Sequence, residues 1–122
     1  MNLRRFAIAS VATVAWVASA PAAAHAFLDH ALPAVGSTVH ASPTAVRLWF
    51  TEQLEPAFCS VRVLDQAGAK VDAGDSHVEA SDPTILATSL PVLVPGTYRV
   101  VWRVVSVDTH VTEGDFTFVV AK

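Results

Sequence analysis

Pro95-Gly96-Thr97-Tyr98-Arg99-Val100-Val101-Trp102-Arg103-Val104-Val105 is the stretch that decides the fold class. In an extended chain successive side chains point to opposite faces, so Tyr98, Val100, Trp102 and Val104 share one side while Arg99, Val101, Arg103 and Val105 share the other. A run of that length at period two reads as a strand, and the proline-glycine pair before it reads as the turn that launches it. Apolar residues on both faces mark a central strand, covered on one side by a second sheet and partly covered on the other.

The same alternation recurs on either side. Phe116, Phe118 and Val120 repeat it at the end of the chain; Val46, Leu48 and Phe50 alternate with Arg47 and Trp49; Val61 and Val63 flank Arg62. Between these runs lie Leu32-Pro33-Ala34-Val35-Gly36, Ser42-Pro43, Gln66-Ala67-Gly68 and Asp82-Pro83, whose prolines and glycines suit turns better than strand interiors. Helical periodicity is almost absent after the first 24 residues, so the expected fold is an all-β, two-sheet sandwich. Val71 to Ser81, with Asp72, Gly74, Asp75, Ser76 and Glu79, is too polar for a core strand and reads as an exposed loop. Trp49, Trp102, Phe116 and Phe118 are assigned to the core or to a sheet surface.

The first residues have a different character. Arg4 and Arg5 precede an apolar stretch from Phe6 to Val17, and Pro21-Ala22-Ala23-Ala24 supplies the small residues that signal peptidase requires. The apolar stretch is too short and too alanine-rich for a good membrane span. Cleavage after Ala24 divides the chain into a signal peptide, 1–24, and one exported domain, 25–122. Small residues also precede cuts after Ala20, which would leave Pro21 first, and after Ala26, which would remove His25. The cut after Ala24 leaves 98 of 122 residues, enough for one compact core. It removes two arginines and no acid, so a formal charge of −3 becomes −5. Such a domain is a poor partner for nucleic acid, which needs a basic patch. Cys59 is the only cysteine, so no internal disulfide can form, and its parity with Val61 and Val63 reads as a small buried apolar residue.

The cut also creates chemistry. A histidine at a free N-terminus offers its α-amine and the near imidazole nitrogen as a chelate needing no folding, and copper(II), which favours nitrogen and oxygen in a square plane, gains most from such a pair. Farther on, Ser106-Val107-Asp108-Thr109-His110 places a carboxylate and an imidazole two residues apart, on one side of an extended segment. His25, Asp108 and His110 together would complete a nitrogen-rich plane around one copper(II), with the carboxylate offsetting charge. By spacing alone, Asp-x-His reads more often as a solvated turn. His30 gains no role, and His40 and His77 read as solvated surface residues. No Gly-x-Ser-x-Gly elbow and no glycine-rich phosphate loop is present, so hydrolase and nucleotide chemistry have no support.

At this point the chain resembles the CopC-like periplasmic copper-binding proteins. The resemblance rests on His25-Ala26-x-Leu28, Pro33-Ala34-x-Gly36, Leu48-x-Phe50-Thr51-Glu52, Pro95-Gly96-Thr97-Tyr98-x-Val100-x-Trp102-Arg103, Ser106-x-Asp108-x-His110 and Gly114-x-Phe116-x-Phe118, in that order. It implies a Greek-key, immunoglobulin-like sandwich in the periplasm with one copper(II) site near one end. His25, Asp108 and His110 would be its ligands, and Glu52 a weak ligand or an outer acceptor beside the ion. It also implies a monomer that buffers copper or delivers it to a membrane copper importer of the CopD type. The chain departs from relatives that hold copper(I) in a methionine-rich loop: its only methionine is Met1, so no dedicated copper(I) site is expected. Val111 stands where a proline often follows the Asp-x-His pair.

Two rival readings remain at this level. An N-terminal histidine paired with a second one also marks copper-dependent oxidative enzymes, but there Asp108 would occupy the plane that oxygen needs. A sandwich without metal, used for adhesion or scaffolding, is compatible with the fold alone. The expectation is a binding protein and not an enzyme.

Overall fold

The computed structural model describes residues 26–122 together with Ala12 and Thr13, so the expected signal peptide and His25 lie outside the described residues. Eight strands follow in order: β1 (Leu28–Leu32), β2 (Thr38–Val39), β3 (Ala45–Phe50), β4 (Ser60–Leu64), β5 (His77–Val78), β6 (Ile85–Ser89), β7 (Gly96–Val105) and β8 (Val111–Val120). They form two four-stranded sheets, β1-β3-β6-β5 and β2-β8-β7-β4. That arrangement is the immunoglobulin-like, Greek-key pairing, with the first strand's continuation β2 running parallel to the last strand β8. As expected, β7 is central, between β8 and β4.

The alternating residues fill the space between the sheets. Val46, Leu48 and Phe50 from β3 face Val61, Val63, Val100, Trp102, Val104, Phe116, Phe118 and Val120, all buried. Phe50 meets the Trp102 ring edge-on at 5.1 Å between centroids, tying the two sheets together. Across the β7–β8 pair, Tyr98 and Phe118 stack at 5.6 Å. The Tyr98 hydroxyl donates back to the Val94 carbonyl, which pins the turn into β7 as a tyrosine corner does in related sandwiches. Gly114 is required opposite Trp102, because a Cβ there would lie 2.4 Å from the indole Cζ2.

The outer face of the first sheet carries a polar and aromatic ladder. His30 stacks on Trp49 at 4.4 Å, Arg47 lies over the same indole, and Arg47 makes a two-point ion pair with Glu79 at 2.7 and 2.8 Å. The guanidinium holds the Glu79 carboxyl below the usual range.

The polar stretch from Val71 to Ser81 corrects the expectation of a plain exposed loop. It contains β5, which closes the first sheet beside β6. It also serves β4, which among the described residues has no strand on its outer side. The Val61 amide donates to Ser76 Oγ at 2.9 Å and the Val63 amide to Asp72 Oδ2 at 2.8 Å, so side-chain oxygens stand where a neighbouring strand's carbonyls would be. The Asp72 side chain is almost fully buried, near the Lys70 ammonium at 3.6 Å. The stretch is largely exposed, as expected, but Asp72 and Ser76 owe their polarity to a second task, as acceptors at a sheet rim.

Asp75 finishes this connection. Its carboxylate accepts from Ser89 Oγ, the Ser89 amide and Thr88 Oγ1 at 2.6, 2.7 and 3.1 Å. The Ser89 hydroxyl and amide draw its pKa from 3.8 down to about 2. A depressed carboxylate contributes stability above its ordinary pKa and loses it as pH falls toward the folded value. Asp75→Asn is therefore expected to melt below wild type at neutral pH, the gap narrowing as pH drops from about 4 toward about 2. Melts followed by circular dichroism across that range test this; a gap independent of pH contradicts it.

Candidate metal centre

Asp108 and His110 sit in the five-residue connection between β7 and β8, beyond the last strand pair, Val105 with Val111. The sequence pattern suggested an extended segment; the structure brings the two side chains together by a tighter route. The Ser106 amide donates to the His110 carbonyl at 3.0 Å, and the Thr109 amide donates to the Ser106 carbonyl at 2.8 Å. Thr109 takes a left-handed conformation, φ +74°, which turns the chain so that its neighbours on either side converge. Asp108 Oδ2 lies 3.1 Å from His110 Nδ1. Ser106, almost fully buried, donates its hydroxyl to Asp108 Oδ1. That hydroxyl, and then the His110 ring, hold the Asp108 carboxyl below the ordinary range, so it is an anion at neutral pH.

The loop is fastened to the segment leaving β3. Val107 donates to the Gln53 carbonyl at 3.0 Å, Glu55 donates to the Val105 carbonyl at 2.8 Å, and Leu54 bridges Ser106. That segment is fastened in turn to the start of the described chain: the Thr51 amide donates to the Phe27 carbonyl at 2.9 Å, and the Phe27 amide donates to Thr51 Oγ1 at 3.0 Å. Ala26 is fully buried. Phe27, Thr51 to Glu55 and Ser106 to His110 thus form one end of the sandwich. Glu52 is exposed within this group. His25, immediately before Ala26 in sequence, lies outside the described residues.

Among the described residues no three histidine, cysteine, aspartate or glutamate side chains converge as a metal site. Asp108 and His110 supply one oxygen-and-nitrogen pair, a donor set suited to a borderline cation such as copper(II) and lacking the sulfur that copper(I) prefers. His30 is occupied elsewhere, with Nδ1 2.7 Å from Asp29 and its ring on Trp49. His77 Nδ1 contacts the Asp75 carbonyl at 2.8 Å on β5, and both His40 and His77 are exposed, as expected.

Cys59 departs from its expected full burial: it is half-buried at the approach to β4, packed against the core. Its sulfur accepts from the Val105 amide at 3.3 Å, and burial pushes the thiol pKa up, so it stays protonated at neutral pH. Sequence reading gave no role to Ser106 or to Thr51, yet these hydroxyls tie the loop and the start of β1. For Ser106 the available signal was a hydroxyl residue two positions before an acid, a pattern that favours local side-chain hydrogen bonds; the Thr51 bond to Phe27, 24 residues away in sequence, had none.

The family model described as the CopC domain matches residues 28–121. Protein YobA of Escherichia coli K12 is 38% identical over 96 residues, which cover 78% of this chain and 77% of that protein. Copper resistance protein C of Pseudomonas syringae pv. tomato is 34% identical over 124 residues, covering 97% and 98% of the two chains. The crystal structure of CopC from Methylosinus trichosporium OB3b superposes with a TM-score of 0.71 at 38% identity, covering 80% of this chain and 94% of that one.

Proposed function

The chain belongs to the CopC family of copper resistance proteins, and from that premise we propose that it is an exported, periplasmic copper(II)-binding protein that buffers copper or carries it to a membrane copper importer of the CopD type. Cleavage after Ala24 frees the His25 amine. That amine and the His25 imidazole, with Asp108 and His110, bind one copper(II) per chain as cargo, and Glu52 serves as a weak ligand or outer acceptor. The protein acts as a monomer and not as an enzyme, since a plane filled by three nitrogens and a carboxylate leaves no equatorial position for oxygen. No dedicated copper(I) site accompanies it, because Met1 is the only methionine.

One observation carries this reading: Asp108 and His110 lie 3.1 Å apart on a loop hydrogen-bonded to the segment that also holds Phe27, two residues after His25. Asp108 and His110 are thereby held at the end of the sandwich where the described chain begins, which supports the reading that His25 joins them. What the chain's own residues do is fix the carboxylate and ring in advance, which lowers the ordering cost of binding.

Intact mass of the exported protein is expected to place His25 first. Titration with copper(II) should then give one tight equivalent with nitrogen coordination in the electron paramagnetic resonance spectrum, and affinity should fall in acid because amine and imidazole must lose protons to bind. A product beginning at Phe27, or a loaded protein with no nitrogen hyperfine coupling, overturns the reading. Peroxide formation by the copper-loaded protein with a reductant would favour the oxidative enzyme instead.

A further inference from the structure

Ser106 stands out among the groups at this end of the sandwich. It is only 1% exposed, although four residues of the same loop are open to solvent. Both of its backbone polar groups close the loop: its amide donates to His110 and its carbonyl accepts from Thr109. Its side chain makes a third tie, donating to Asp108 Oδ1, while the same oxygen lies 3.3 Å from the His110 carbonyl. A hydroxyl has one proton to give, and the charged carboxylate is the stronger acceptor. The two oxygens of Asp108 are therefore inequivalent. Oδ1 is held by Ser106 from the buried side, and Oδ2 faces Nδ1 of His110.

Resting on the copper reading above, we infer that Ser106 is a positioning residue for the copper site: its hydroxyl retains Asp108 Oδ1 so that the carboxylate offers the ion Oδ2 alone. Capture of the ion by Asp108 and His110 replaces their contact with each other and leaves the Ser106 bond intact. A carboxylate so held occupies one position in the plane rather than two, which reserves the others for nitrogen. Without the hydroxyl, Asp108 is free to rotate, to bind through both oxygens or to turn into solvent. Outer hydrogen bonds of this kind are generally worth 10–100-fold in metal affinity.

The test compares Ser106→Thr with Ser106→Val in the mature protein. These side chains have the same shape and differ in a hydroxyl against a methyl, so any packing defect at this buried position affects both alike. Copper(II) affinity is read by competition with a chelator, and the copper hyperfine splitting by electron paramagnetic resonance. Ser106→Thr is expected to bind within a few-fold of wild type with the same spectrum, and Ser106→Val about 10–100-fold more weakly with an altered spectrum. Placed on an Asp108→Ala background, the two are expected to bind alike, because the hydroxyl acts through that carboxylate. Equal affinities and spectra for Thr and Val with Asp108 present, or an undiminished difference with Asp108 removed, overturn the role of Ser106. Failure of wild type to take up copper would instead overturn the copper reading itself.

Discussion

Replacing His110 by alanine is expected to cost far more copper(II) affinity than the roughly 10–100-fold that accompanies loss of an outer hydrogen bond, with almost no change in thermal stability. The two outcomes separate because of where the ring sits. His110 is exposed at the turn between β7 and β8, and the loop backbone is closed by amide and carbonyl groups that alanine retains. Exposed substitutions of this kind change stability by about 0.5 kcal/mol or less, and the contact with Asp108 is a surface pair of small value. The proposed copper plane, in contrast, would lose a nitrogen and be left with the N-terminal chelate and one carboxylate oxygen. Competition titration and a thermal melt on the same sample test both halves. Wild-type affinity in His110→Ala would remove this residue from the donor set.

Phe118→Ala should do the reverse, destabilising the sandwich while leaving the donor residues themselves unaltered. Phe118 is fully buried, on the third rung from the Gly96–Val120 end of the longest strand pair, and stacks on Tyr98 at 5.6 Å. Truncating a buried phenylalanine typically costs about 3–5 kcal/mol, from lost burial and from the cavity that remains. Domains of this size hold about 5–15 kcal/mol in total, so the substitution removes a large fraction. A domain of about 100 residues loses roughly 4–8 °C of melting temperature per kcal/mol, so a fall of roughly 12–40 °C is expected in calorimetry or by circular dichroism. A change under a few degrees would mean that the core is far more plastic at this point than its packing implies.

The strands were legible because alternation reports burial directly. Val46, Leu48 and Phe50, Val61 and Val63, Tyr98 to Val104, and Phe116 to Val120 each face inward as their period predicts. The rim was not legible. Asp72, Asp75 and Ser76 resemble loop residues because their partners are amides and hydroxyls on β4 and β6, and hydropathy along the chain does not register a partner distant in sequence. The site was legible in its residue types, through the Asp-x-His spacing, while its geometry was not. The convergence of Asp108 and His110 depends on a left-handed Thr109 and on the buried Ser106 hydroxyl, and neither is implied by an extended reading. Cys59 shows the same limit: its parity was right, but its position at the approach to β4 leaves it half open.

The way β4 ends the second sheet has a consequence for molecules at high concentration. A flat rim of vacant amides is a template on which a strand from another copy can dock, the first step toward fibrils. Here the amides of Val61 and Val63 are already engaged by Ser76 and Asp72 of the same chain. The protein can thus accumulate without its sandwiches polymerising through this strand, protected by two short polar side chains.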